Sequence, residues 1–140
     1  MNRLIEKALE IATKAHDGQV DKAGKEYIEH PKYVASLVDT DYEVVTALLH
    51  DVIEDTDVTI DYLIEQGMPP EVVIAIDVLT KKQNIDYFDY LENVKRNSIA
   101  RNVKYADLTH NSDISRLVNP TKEDYERIKK YNKAMAYLKE

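Results

Sequence analysis

The sequence predicts an all-α fold, one helical domain over residues 1–140. Three observations carry the prediction. Apolar residues recur at helical spacing in every long segment. No apolar/polar alternation lasts more than a few residues, as a half-buried strand requires. The three Gly and four Pro are few and fall at breaks between the periodic segments.

Residues 2–16 form the first predicted helix, with Leu4, Ile5, Ala8, Ile11, Ala12 and Ala15 on one side. Gly18 is its candidate C-cap. Residues 20–29 read as a loop turning near Gly24. Pro31 fits a first helical turn, so a second helix spans 31–38 with His30 at its mouth. Thr40 followed by Glu43 has the form of a capping box and starts a third helix that runs to Asp55. Thr59 caps a fourth to Gln66, stopped by Gly67, and Pro69-Pro70 opens a fifth over 70–80. A sixth covers 85–96. A seventh begins near Ser98 and reaches Asn111, and Thr121 with Asp124 starts a charged eighth to Lys139.

Composition bounds the function. A chain of 140 residues, 44% hydrophobic and 32% charged, supports one sizeable core. With no Cys, disulfides, zinc-thiolate sites and thiol nucleophiles are excluded. The net charge of −7, with no basic stripe, opposes general nucleic-acid binding. It leaves room for a small anionic substrate, because an ion and a few cations reverse the field within one pocket. Arg3, Glu6 and Lys7 interrupt the N-terminal apolar residues, so Met1 to Ala12 is no signal peptide. No apolar run is long enough for a bilayer, and a cytoplasmic location is the expectation.

The chemistry centres on Ala47-Leu48-Leu49-His50-Asp51-Val52-Ile53-Glu54-Asp55-Thr56. Helical spacing places His50 beside Glu54, and Asp51 beside Glu54 and Asp55. So many ionisable groups in an apolar helix need compensation, which a divalent cation provides. His30 and Asp107 add an imidazole and a carboxylate from other segments. Together, His30, His50, Asp51 and Asp107 make a nitrogen/oxygen set suited to Mn²⁺, Fe²⁺, Co²⁺, Ni²⁺ or Zn²⁺ rather than Ca²⁺. Water activation for phosphoryl transfer is the matching chemistry, with Glu54 and Asp55 placed to handle the proton. Each residue also has a plain structural reading: His30 as a helix cap, Asp107 as a partner of Lys104, Glu54 and Asp55 as a solvated helix end. His16-Asp17, a second doublet, lacks trailing acids. It is not counted as a metal pair.

Five segments in order carry a resemblance: Ala15-His16-x-Gly18-Gln19, Tyr27-Ile28-x-His30-Pro31, Leu49-His50-Asp51-x-x-Glu54-Asp55-Thr56, Leu79-Thr80, and Val103-Lys104-x-Ala106-Asp107-x-x-His110-Asn111. Residues 5–117 resemble the hydrolase domain of the RelA/SpoT family, within the HD superfamily of phosphohydrolases. The resemblance implies a stand-alone small alarmone hydrolase that removes the 3′-pyrophosphate of guanosine tetra- and pentaphosphate with Mn²⁺. It implies His30, His50, Asp51 and Asp107 as metal ligands, Glu54 and Asp55 as the water-activating pair, Asn111 as a substrate contact, and His16 near the site. The chain departs from the family at Asp21-Lys22, where an Arg-Lys pair is usual, and at Ser112-Asp113-Ile114-Ser115-Arg116. An Asp offers no flat guanidinium to a base.

Lys22, Lys25, Lys81, Lys82, Lys104 and Arg116 are candidate phosphate contacts, Lys22 and Lys104 foremost, and one of the ten Tyr is a candidate for stacking on a base. The alternatives are an HD-family phosphatase or phosphodiesterase acting on another nucleotide, such as a nucleoside monophosphate or NADPH, and a non-catalytic nucleotide-binding HD domain.

Overall fold

The computed structural model describes residues 2–140, and its regular elements are helical. They are α1 (Arg3–Ala15), α2 (Glu29–Ser36), α3 (Asp41–Leu49), α4 (Val52–Asp55), α5 (Ile60–Glu65), α6 (Pro70–Leu79), α7 (Tyr87–Arg96), α8 (Ser98–Asn111) and α9 (Lys122–Lys139). A short 3-10 turn, Ile114–Arg116, lies between the last two. The only β pairing among the described residues is a single bridge between Val20 and Glu26, which pinches the α1–α2 loop. The all-α expectation holds.

Local chemistry explains most of the boundaries. Thr40 accepts from the Glu43 N–H, and the Glu43 carboxylate accepts from the Thr40 N–H, so α3 starts on a complete capping box. Thr121 and Asp124 do the same for α9. α5 ends in a Schellman motif: Gly67 has φ +87°, its N–H donates to Ile64 O, and Met68 N–H donates to Leu63 O. Only glycine adopts that φ freely.

Two expectations are corrected, and one element is added. The helix over 40–55 is not continuous; it breaks at His50-Asp51 into α3 and α4. His50 Nδ1 lies 2.6 Å from the Ala47 carbonyl, and the His50 N–H turns to that same oxygen, so the backbone tightens and leaves the helical path. α2 begins at Glu29 and ends at Ser36 instead of spanning 31–38, which puts His30 inside its first turn. The 3-10 turn after α8 is an element the sequence pattern does not signal; Asp113 caps it by accepting from Ser115 N–H.

α3 is the central element, packing against α1, α2, α6 and α8. Its apolar residues divide between two clusters. Val45, Leu48 and Leu49 pack with Ile11, Leu63, Val72 and Ile76. Ala47 joins Val34, Leu79, Leu91, Val94, Val103 and Leu108. Each fully buried Leu or Ile contributes about 1.5–3 kcal/mol. The break at His50 therefore sits at the end of the central, most enclosed helix, where α2 and α8 also meet it.

Candidate metal centre

Three stretches deliver four side chains to one point. His30 comes from the first turn of α2, His50 and Asp51 from the α3–α4 break, and Asp107 from α8, one turn before its end. One ligand atom from each lies within 4.8 Å of the other three. His30 Nε2 is 2.8 Å from Asp107 Oδ1 and 3.9 Å from Asp51 Oδ2. His50 Nε2 is 3.0 Å from Asp51 Oδ2 and 3.3 Å from Asp107 Oδ1. His30, His50 and Asp107 are buried, and Asp51 is half-buried.

The far sides of these groups are anchored. The bond to Ala47 O puts a proton on His50 Nδ1, because a carbonyl only accepts; Nε2 then faces the cluster. His30 Nδ1 lies 2.7 Å from His110 Nδ1, and His110 stacks on both His30 and Tyr33. Tyr27 donates its hydroxyl to Asp51 Oδ2. Asn111 donates to Asp107 Oδ1 at 3.1 Å, and Lys104 Nζ lies 3.3 Å from Asp107 Oδ2.

Such a site is electrostatically polarised. Burial pushes the Asp107 carboxyl up, but the Lys104 ammonium and the His30 and His50 rings outweigh it and hold the pKa well below the usual range. Burial pushes His50 toward neutrality, and the Asp51 and Asp107 carboxylates more than reverse this. The Tyr27 phenol is held well above its ordinary value by burial and by Asp51, so it remains a donor. Two convergent imidazole nitrogens and two carboxylates, with their outer atoms fixed, fit a divalent ion: the carboxylates neutralise its charge and the anchors orient the rings.

Glu54 and Asp55 lie on α4 and are exposed at the rim. Glu54 Oε1 accepts from the Lys81 N–H at 2.6 Å, fastening α4 to the α6–α7 connection. Asp55 has its pKa raised by burial and by the charges of Asp51 and Glu54. His16 is buried; its Nδ1 is 2.9 Å from Gln19 Oε1, Gln19 Nε2 donates to the Asp55 carbonyl, and His16 Nε2 has no partner.

A cavity of about 310 Å³ adjoins the cluster at His30 and Tyr27. Lys22, Asn111, Arg116, Arg127 and Tyr131 also line it. Lys22 and Asn111 are thus at the cavity, whereas Lys104 is not among its lining residues and is committed to Asp107. Two residues that anchor the cluster, Tyr27 and His110, escape the reading of residue types alone. Tyr27 precedes His30 by three positions and His110 follows Asp107 by three, a spacing that puts each on the face of its ligand and is the available signal.

Residues 8–131 match the family model described as HD domain. The chain is 38% identical over 115 residues to a guanosine-3′,5′-bis(diphosphate) 3′-pyrophosphohydrolase of Haemophilus influenzae, covering 72% of this chain and 17% of that protein. It is 34% identical over 122 residues to the bifunctional (p)ppGpp synthase/hydrolase SpoT of Escherichia coli, covering 76% and 17%. To a GTP pyrophosphokinase of Myxococcus xanthus it is 35% identical over 126 residues, covering 77% and 16%. The chain therefore spans about a sixth of the length of these curated relatives. The solved structure of a metazoan ortholog of SpoT, a protein that hydrolyzes ppGpp and plays a role in starvation responses, superposes with a TM-score of 0.80 at 22% identity, covering 99% of this chain and 86% of that one. The fold is shared.

Proposed function

The chain belongs to the HD-domain family, and on that footing we propose that it is a metal-dependent phosphohydrolase, a (p)ppGpp 3′-pyrophosphohydrolase working with Mn²⁺. Residues 1–140 act in this reading as one hydrolase domain. The observation that carries it is the convergence of His30, His50, Asp51 and Asp107 within 4.8 Å. Two relatives named for (p)ppGpp hydrolysis, from Haemophilus influenzae and Escherichia coli, support the choice of substrate.

His30, His50, Asp51 and Asp107 would hold the ion, which supplies positive charge to acidify a water and to polarise a phosphoryl oxygen. Asp55 receives the water's proton; its raised pKa makes it a better base near neutral pH than an ordinary carboxylate. Glu54 has one oxygen committed to the Lys81 N–H, so Oε2 is the atom that orients the water. Asn111 keeps Asp107 in place and lines the adjoining cavity, and the long, exposed Lys22 reaches a phosphate there. The water oxygen joins the phosphorus bonded to the ribose 3′ oxygen, that P–O bond breaks, the 3′ oxygen takes up a proton to become the hydroxyl, and pyrophosphate is released.

Asp21, in place of a base-facing Arg, favours a second reading: an HD-family phosphatase acting on a nucleoside monophosphate or NADPH. One experiment separates them. Protein purified without chelator is assayed with Mn²⁺ against ppGpp, NADPH and nucleoside monophosphates, alongside Asp51→Ala. Stoichiometric transition metal in the parent, its loss in the variant, and pyrophosphate release from ppGpp are expected. Metal-dependent cleavage of another nucleotide with ppGpp untouched establishes the second reading, and absence of metal overturns both.

A further inference from the structure

His16 is a buried histidine that the four-residue cluster does not use. It caps the C-terminus of α1 and is 2% exposed. Gly18, at φ +84°, turns the chain back there, and the Gln19 N–H donates to the His16 carbonyl. Gln19 Nε2 donates to the Asp55 carbonyl at 3.1 Å, which fixes the orientation of the amide, because a carbonyl only accepts. Gln19 Oε1 therefore faces His16 Nδ1, 2.9 Å away, and Nδ1 carries the proton. Nε2 of the neutral ring is buried without a partner among the described residues. Such an atom costs stability that an apolar side chain in the same space would not. What the imidazole adds is the Nδ1–H.

The receiving end of this chain of bonds is a weak element. α4 has four residues, too few to hold a helical turn alone. The carbonyl of Asp55, its last residue, is one of those a helix leaves unpaired, and Gln19 supplies the donor. On the other side, the Glu54 carboxylate holds the Lys81 N–H. Two side-chain tethers thus set where α4 lies, and with it Glu54 and Asp55. Gln19 is long and half-buried, with rotamer freedom to lose, and its bond to the packed His16 ring selects one arrangement. The His16 ring also packs on Tyr27, at a centroid distance of 4.8 Å, and Tyr27 donates to Asp51 Oδ2.

We infer that His16 is a positioning residue for the water-handling acids: by donating Nδ1–H to Gln19 it aims that amide at the Asp55 carbonyl and fixes the end of α4. The inference deepens the phosphohydrolase reading, on which the role of Asp55 rests.

Four variants and two readouts test it. His16→Leu fills the space and removes the donor, and His16→Asn returns an N–H near the place of Nδ1. Gln19→Met removes the relay, and a double variant combines His16→Leu with Gln19→Met. The first readout is hydrogen exchange at the amides of Asp55 and Thr56, which donate to Asp51 O and Val52 O. Exchange there is expected to quicken about tenfold in His16→Leu and Gln19→Met, to return toward the parent rate in His16→Asn, and to stay unchanged in α3 and α8. The second readout is Mn²⁺-dependent ppGpp hydrolysis. In either single variant kcat is expected to fall about tenfold, and no further in the double, with KM and thermal midpoint near those of the parent. Parent-like exchange in α4, losses that multiply in the double variant, or a lowered midpoint with faster exchange throughout the chain overturn the inference. Should His16→Leu fail to fold, His16→Asn and Gln19→Met carry the comparison, and parent-like exchange in Gln19→Met overturns it. If the parent cleaves no nucleotide while the α4 amides respond as expected, the hydrolase reading falls and the positioning of α4 by His16 stands.

Discussion

The Nδ1 atoms of His30 and His110 lie 2.7 Å apart, with the two rings nearly parallel at a centroid distance of 5.0 Å. One nitrogen carries the proton and the other accepts it. Burial, Arg116 and His30 push the His110 pKa down to about 4, so the neutral ring is the form present at pH 7. A neutral His110 accepts from His30 Nδ1–H, which turns His30 Nε2 toward Asp107. His110→Ala is expected to weaken Mn²⁺ affinity about 10- to 100-fold, measured by competition with a chelating dye, with the fold retained. Unchanged affinity would mean that the packing of α2 alone orients His30.

The rim acids are separable. Glu54→Gln keeps an oxygen for the Lys81 N–H, and Asp55→Asn keeps the shape of its side chain. Each is expected to lower kcat by about 100-fold or more with little change in KM or thermal midpoint. A drop in midpoint for Glu54→Gln would show that its role is to hold the α6–α7 connection.

Lys104 lies beside the Asp107 carboxylate and within 5.4 Å of the Tyr90 ring centroid. Against the opposing effect of burial, Asp107 and Tyr90 raise its pKa. Lys104→Met removes this partner and leaves a buried carboxylate exposed to its like-charged neighbour Asp51. About 3 kcal/mol of destabilisation is expected without added metal. Saturating Mn²⁺ is expected to restore part of it, because the ion compensates the same charge. Denaturant unfolding with and without Mn²⁺ measures both effects.

Glu43 supplies a pH-dependent contribution away from the cluster. Burial pushes its carboxyl up, but the Asn102 amide and the N–H groups of Thr40 and Asp39 outweigh this and hold the pKa below its ordinary value of 4.5. A depressed folded-state pKa contributes stability that is complete above the unfolded value and is lost as pH falls through the folded one. The parent should therefore lose thermal stability faster than Glu43→Gln as pH falls below about 4.5, while at pH 7 the variant is less stable by about 1–3 kcal/mol. Parallel curves would assign Glu43 a neutral packing role.

Much of this molecule is legible in its sequence because the signals are local. Thr40 with Glu43 and Thr121 with Asp124 announce two helix starts, and Gly67 announces a stop. The break at His50 is not legible: Leu48, Leu49, Val52 and Ile53 continue a helical apolar pattern straight through it. What bends the chain there is the imidazole's bond to Ala47 O together with the convergence of α2 and α8. The grouping of His30, His50, Asp51 and Asp107 could be anticipated from residue types in order. The bond from Arg116 to Asp21 could not, since the pair is separated by 95 positions and either residue alone reads as a solvated charge.

The broken helix has a mechanical consequence. His30 and Asp107 are 77 positions apart, and His50 and Asp107 are 57 apart. An ion shared among them would tie these distant stretches together in the folded state, and it would stabilise that state in proportion to the logarithm of its concentration over its dissociation constant. The four-residue cluster would then double as a rivet through α2, the α3–α4 joint and α8. Substitutions chosen to alter catalysis at its ligands will also change how firmly the whole bundle is fastened.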